Sequence, residues 1–260
     1  MAWHLLAVNV GAAVQAAQQA RAIGATRFIY ASSGSVYAPS FEALTEACPV
    51  RRDDWYALSK VQAEEALALF ARADATTGAA GLDVTVVRPF CIFGPGQTNM
   101  LVPNLLDSML AGRPIYVEPS AADGSDRDGL RITPCYIDDA VEILCDMIHR
   151  GQGATAAPFA AVPAPGRTAT HNAAPVPAPY VRAAHPSPEI VNLAGPEIIS
   201  IRQLATELGR LVGKTPNIEI SPRLRQGNLI ADVTFLRRTY EPSFTSLQMA
   251  LELTVRSEEP

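Results

Sequence analysis

Arg27-Phe28-Ile29-Tyr30-Ala31-Ser32-Ser33-Gly34-Ser35 is the stretch from which the fold of this chain can be read. Its first half is short, aromatic and β-branched, as strands are, and it runs straight into small residues that suit a loop. Downstream, Asp54 to Arg72 holds no Gly or Pro and is rich in Ala, Leu and Glu. That composition predicts a helix, with Asp53 or Asp54 as its cap. Asp83-Val84-Thr85-Val86-Val87-Arg88 follows as a nearly continuous apolar run, the pattern of a parallel strand covered on both faces. Strand, helix and strand at this spacing form a βαβ unit, so the expected fold class is α/β.

On the N-terminal side, Val10, Val14 and Ala17 recur at helical spacing and Gly24 supplies a stop, which predicts a helix from Asn9 to Ala22. On the C-terminal side, Gly94-Pro95-Gly96 is a loop, and Val102 to Ala111 is a helix ended by Gly112 and Pro114. Asp138 to His149 is expected to be helical, with Asp138 as its cap and the acidic pair at the positive end of the dipole. Ile190 to Leu193 is a strand, and Ser200 with Gln203 forms a capping-box pattern opening a helix through Leu211. A strand at Asn217 to Ile220 and a helix at Ser246 to Val255 close the chain. Between 151 and 188 the texture changes: twelve alanines and eight prolines accompany only two charged residues, Arg167 and Arg182. Such a segment cannot form a periodic core face and is expected to be a disordered insertion whose removal costs little stability.

The 260 residues, 48% hydrophobic and 18% charged, suffice for one full core or two small ones. A formal charge of -5 offers no positive field to gather phosphate backbone, so no nucleic-acid partner is expected. No apolar run reaches the roughly 20 residues of a bilayer span, and Met1-Ala2-Trp3-His4 lacks the basic flank of a secretion signal. A cytoplasmic protein with no membrane partner is the expectation. Cys48, Cys91, Cys135 and Cys145 have neither metal-ligand spacing nor the density of a disulfide scaffold, which predicts reduced thiols and no metal.

The chemistry centres on Tyr56-Ala57-Leu58-Ser59-Lys60, because a separation of four on a helix stacks a phenol and an ammonium on one face. A fixed cation beside a phenol favours phenolate, and such a phenol suits proton transfer to and from an alcohol or carbonyl. With seven tyrosines in the chain the pair alone is weak evidence. Lys60 and Lys214 are the only lysines among 21 basic residues, so a placed lysine carries information. The serine-rich stretch after the first strand lies where open α/β sheets bind ligands, at the carboxyl ends of strands. Ser33 could hydrogen-bond a reacting oxygen there, or simply serve the turn.

With these marks in order, the sequence resembles the extended short-chain dehydrogenase/reductase family of NAD-dependent epimerases and dehydratases. The resemblance rests on Asn9-Val10-Gly11 opening a helix, Phe28 through Tyr37, the Tyr56/Lys60 pair and Val87-Arg88-Pro89-Phe90 with Gly94-Pro95-Gly96-Gln97. It extends to Arg131 seven residues before Asp138-Asp139-Ala140, and to Asn192-Leu193-Ala194-Gly195. It implies that Tyr56 is the acid/base, that Lys60 binds the nicotinamide ribose and acidifies the tyrosine, and that Asn9 supports a water relay to the lysine. Asn9 is also open to a plain capping role. The resemblance further places Pro89 and Phe90 beside an NAD or NADP cofactor. Ser33, Ser35, Cys91 and Arg131 would then lie on the substrate side, with the Arg131 guanidinium facing phosphates of a nucleotide sugar; an ordinary surface role is open to Arg131 too. Cys91 stands where many members carry an asparagine, and Phe93 replaces a frequent tyrosine. A homodimer through the helices starting near Asn9 and Asp54 is implied as well.

Family members begin with a strand and a Gly-x-x-Gly-x-x-Gly turn that holds the cofactor pyrophosphate. In this sequence the first glycine is Gly11, and no triple-glycine fingerprint follows. The expected architecture is therefore a partial Rossmann-type doubly wound parallel sheet lacking its first strands, with a small C-terminal α/β substrate-binding portion. Residues 1–97 would form the catalytic half of the Rossmann-like domain. Residues 98–150 and 189–260 would form the substrate-binding portion, with 189–195 returning to the main sheet. The strand at Arg27 would become an edge. Three functions follow as alternatives: an NAD(P)-dependent oxidoreductase acting on a nucleotide sugar, a noncatalytic remnant or interaction protein of the same fold, or a nucleotide-sugar-binding module without redox chemistry.

Overall fold

The computed structural model describes residues 2–72, 81–149 and 188–256. Helix is already running at Ala2: α1 (Ala2–Leu5) passes through a π-helical turn, Leu6–Gly11, into α2 (Ala12–Ala22). The expected start at Asn9 is thereby corrected. Ala2, Leu5, Leu6 and Ala7 are strong helix formers, and no proline precedes the end of the run. Asn9 lies inside the π turn and caps nothing. Gly24, at φ +77, takes the left-handed conformation that follows the last turn.

Strand β1 (Arg27–Ala31), a 3-10 turn at Gly34–Val36, helix α3 (Trp55–Ala68) and strand β2 (Asp83–Pro89) make the βαβ unit. The Asp54 carboxylate accepts the Ala57 amide at 2.9 Å and starts α3. The two strands run parallel, from Arg27 opposite Asp83 to Ala31 opposite Val87. The chain continues through β3 (Ile92–Phe93), α4 (Leu101–Leu110), β4 (Ile115–Val117), β5 (Arg131–Ile132), β6 (Cys135–Tyr136) and α5 (Ile137–His149). Because α5 begins at Ile137, Asp138 stands in its first turn rather than at its cap. Then come β7 (Glu189–Leu193), β8 (Ile199–Ser200), α6 (Ile201–Val212), β9 (Ile218–Ile220), α7 (Thr234–Tyr240) and α8 (Leu247–Arg256). The capping box of α6 forms with Ser200 and Gln203. The proposed insertion at 151–188 lies, apart from Pro188, outside the described residues.

β7 pairs with β2 in parallel, from Thr85 opposite Glu189 to Pro89 opposite Leu193, giving the order β1-β2-β7. Alternate residues of these strands serve opposite layers. Val84 and Val86 pack against Ala13 and Ala17 of α2 and Ala63 and Leu67 of α3. Val87, Val191 and Leu193 pack against Ala140, Ile143 and Met147 of α5 and Leu236 of α7. Helices thus cover both faces, which explains the unbroken burial from Val84 to Arg88. Among the described residues β1 and β7 are the two edges of this sheet. Ser32 donates its amide to Val87 at 2.7 Å, so alternation points the backbone groups of Tyr30 and Ser32 toward β2 and those of Ala31 toward the open side.

A second core joins α4, α6 and α8 through Leu105, Leu106, Met109, Leu204, Leu208, Ala250 and Leu251. Around it lie three two-stranded pairs, β3 with β6, β4 with β9 and β5 with β8. Leu67 is fully buried between α3 and β2. Leu67→Ala should lower unfolding free energy by about 2–5 kcal/mol, read as a reduced urea midpoint at unchanged slope.

Candidate active site

One face of α3 carries Tyr56, Lys60 and Glu64 at successive turns. The Lys60 ammonium donates to the Ala31 carbonyl at 3.0 Å, at the open carboxyl end of β1, and stands 5.2 Å from the centre of the Tyr30 ring. Burial lowers its pKa, against the opposing charge of Glu64. Tyr56 is 41% exposed. It lies near enough to Tyr30 to contribute, after burial and Glu64, to pushing the Tyr30 hydroxyl up to about 12. Tyr30 donates to the Asn9 carbonyl at 3.4 Å, and the Asn9 side-chain amide donates to Ser59 Oγ at 2.9 Å. Tyr56, Lys60 and Asn9 therefore gather around Tyr30. Ser33, nearly buried, accepts the Ser35 amide at 3.1 Å and donates to Ser35 Oγ at 3.0 Å, capping the 3-10 turn, while Ser35 is exposed.

Directly beneath runs a buried polar network. Glu64 accepts from Arg88 Nε at 3.0 Å and Arg88 Nη2 at 2.6 Å, and also from the Ser32 hydroxyl. The Arg88 guanidinium lies 4.7 Å from the centre of the Tyr37 ring, and the Tyr37 hydroxyl donates to Asn192 Oδ1 at 2.7 Å. Asn192 in turn donates to the Leu44 carbonyl at 2.7 Å. α3, β1, β2, β7 and the loop after Tyr37 are all joined. Glu64 is a site-forming residue without a motif to mark it, since a glutamate on a helix looks solvated, and Asn192, quoted above only within a motif, gains its part in the network from Tyr37 and Leu44.

Pro89 ends β2, and Phe90 is fully buried against Tyr37, so its ring belongs to the core below the site. The ring explains Gly34: a Cβ there would come within 2.8 Å of it. Cys91 adopts φ +38, and burial pushes its thiol up to about 11.

Arg131 belongs to a separate cluster. It pairs with Asp126 and lies 3.6 Å from Asp128. Asp126 also pairs with Arg225, a deeply buried guanidinium that donates to the Glu118 carbonyl at 3.0 Å. Arg225 was not singled out in the sequence, where one arginine among many carries no mark. Among the described residues no group of three or more His, Cys, Asp or Glu could hold a metal ion, and no helix is long and apolar enough to cross a membrane.

A parallel sheet wound on both sides, with a tyrosine and a lysine one helical turn apart at a strand end, defines a class. Residues 2–156 match the NAD dependent epimerase/dehydratase family, and the chain belongs to it. No curated protein sequence matches the chain. Solved structures match at the level of fold. MoeE5 in complex with UDP-glucuronic acid and NAD is 21% identical with a TM-score of 0.67, covering 96% of this chain and 70% of its own. UDP-glucose 4-epimerase with UDP-glucose, from the hyperthermophilic eubacterium Thermotoga maritima, is 19% identical with a TM-score of 0.69, covering 97% and 69%. UDP-glucuronic acid 4-epimerase from Bacillus cereus, in complex with UDP-glucuronic acid and NAD, is 18% identical with a TM-score of 0.68, covering 96% and 66%. The chain thus spans about two thirds of the length of these proteins.

The Arg131 guanidinium, with Arg225 beside it, holds the Asp126 carboxyl well below the usual carboxylate range. A depressed carboxylate contributes stability that is present above its unfolded pKa of about 4 and is lost as pH falls through the folded value. Asp126→Asn should therefore lower the urea midpoint at neutral pH and flatten its decline below about pH 4. An unchanged acid-side slope would count against this assignment.

Proposed function

We propose that the chain carries the proton-transfer and substrate side of an NAD(P)-dependent oxidoreductase of the epimerase/dehydratase type, acting on a nucleotide sugar. One observation supports this most: Lys60 is fixed on the carboxyl end of β1, one helical turn from the accessible Tyr56. Lys60 would hold the nicotinamide ribose, a fit made by a half-buried ammonium with N–H groups beyond the one given to Ala31. Pro89 lines the same strand ends. No described residues form a glycine-rich turn for the pyrophosphate, so the fit extends to the nicotinamide end only. A bound nicotinamide supplies a hydride acceptor or donor.

Tyr56 takes the proton of a substrate hydroxyl as that carbon is oxidised, and returns a proton to the carbonyl oxygen on reduction. Ser33 orients that oxygen once its bond to Ser35 yields, with Asn9 behind the pair. Ser35 and Cys91 line the sugar side. Arg131 and Arg225 converge where a diphosphate would take over from Asp126. The furrow between α1–α2 and α3, lined by Trp3, Leu6, Val10, Val14 and Gln62, is the surface for a homodimer.

A second reading has its own support. With β1 at the sheet edge, the chain would serve as a noncatalytic interaction protein of the same fold. NADH fluorescence separates the two: saturable binding, with hydride transfer dependent on UDP-glucose or UDP-glucuronic acid, favours the enzyme. Tyr56→Phe should then cut turnover by about 100-fold or more with cofactor binding retained. No response to millimolar NADH favours the second reading.

A further inference from the structure

The Tyr56–Lys60 face of α3 continues one turn further, to a carboxylate. Glu64 is only 7% exposed, and its oxygens meet Ser32, Arg88 Nε and Arg88 Nη2. Ser32 is held twice, by its amide on Val87 and by its hydroxyl on Glu64, and Ser33 is the next residue. One residue earlier, Ala31 accepts from Lys60. Helix α3 therefore grips two successive residues at the end of β1 with side chains one turn apart, while Arg88 ties the same carboxylate to β2. An ion pair buried this deeply is not a general source of stability, since apolar residues of similar volume commonly do as well or better. Its placement under Lys60 asks for a further role.

We propose, resting on the reading of Tyr56 and Lys60 given above, that Glu64 is a positioning residue: it fixes the Lys60 turn of α3 against the end of β1 and is the counter-charge of the Lys60 ammonium. The titratable groups around that ammonium are Tyr56 and Glu64 on α3 and Tyr30 on β1, with Arg88 of β2 paired to Glu64. Burial works against the ammonium and Glu64 works for it. Arg88 carries the charge opposite to Glu64, so loss of either partner breaks the same buried pair, and Coulomb's law gives the two losses opposite signs at Lys60.

The chain's two lysines make the test clean, because the exposed Lys214 serves as the internal reference for Lys60. Amine acetylation with acetic anhydride, followed by peptide mass spectrometry across pH, reads the Lys60 midpoint in the full chain without cofactor or substrate. Glu64→Gln should lower that midpoint and raise Lys60 labelling about three- to tenfold at a pH below it, and Arg88→Met should slow labelling. If Glu64 only holds the fold, both variants loosen the packing, solvate Lys60 and raise its midpoint together. That shared direction, or no change in Glu64→Gln, overturns the proposal. Should Glu64→Gln be too unstable to purify, Glu64→Asp keeps the charge: an unchanged midpoint supports the proposal and a rise overturns it. Failure of NADH to bind would defeat the catalytic reading while leaving these labelling results to stand or fall separately.

Discussion

The ion pair of Glu64 and Arg88 is the constraint on which the rest of the site depends. It joins a helix to the central strand of the sheet at a depth where neither charge meets solvent, and the Ser32 hydroxyl completes the shell around the carboxylate. Removing one partner would strand the other in a low-dielectric interior, a cost of about 3–5 kcal/mol, so α3 has little freedom to slide along β2. That rigidity is what the proposed proton-transfer pair needs. Lys60 and Tyr56 sit on the same face one and two turns earlier, and their height above the sheet follows from where Glu64 is pinned.

The sheet supplies the other half of the arrangement. β2 is buried on both faces, and its carboxyl end leads through Pro89 into Phe90, whose ring fills the space left by Gly34. The serine turn is thereby laid on a fixed aromatic floor rather than on solvent. Tyr37 and Asn192 extend the same support to β7 and to the loop at Leu44. Across the structure, Asp126 draws Arg131 and Arg225 together, giving a compact cationic pair partly neutralised by a carboxylate. On the proposed reading, an anionic ligand at that point would compete with an internal anion, which favours multiply charged groups over a single weak charge.

Much of this was legible in the sequence, and the exceptions have physical causes. The continuous apolar run of β2 announced a strand covered on both sides, and the helix at Trp55–Ala68 announced itself by composition and by the Asp54 cap. The opening helix was misjudged because its first turns, Ala2 to Val8, lie outside the stretch where apolar residues recur at clear helical spacing. The two-residue strands β3, β5, β6 and β8 are too short to show any period. Helix α7 went unread. Glu64 escaped notice because its charge suggests a solvated face, and only the tertiary fold brings Arg88 and Ser32 to it. Asn192 was quoted as part of a motif, but its hydrogen bonds to Tyr37 and Leu44 span well over a hundred residues of chain.

On the proposed reading, the end of β1 and the Lys60 turn of α3 together form a receptor for the nicotinamide riboside half of a cofactor. Titration with reduced nicotinamide mononucleotide, which lacks the adenosine half, tests this most directly when followed by saturation-transfer NMR on the full chain and on Lys60→Met. The expected result is saturable binding to the unmodified chain that is lost in Lys60→Met while the fold is retained. Binding of equal strength in both proteins, or none in either, would contradict it.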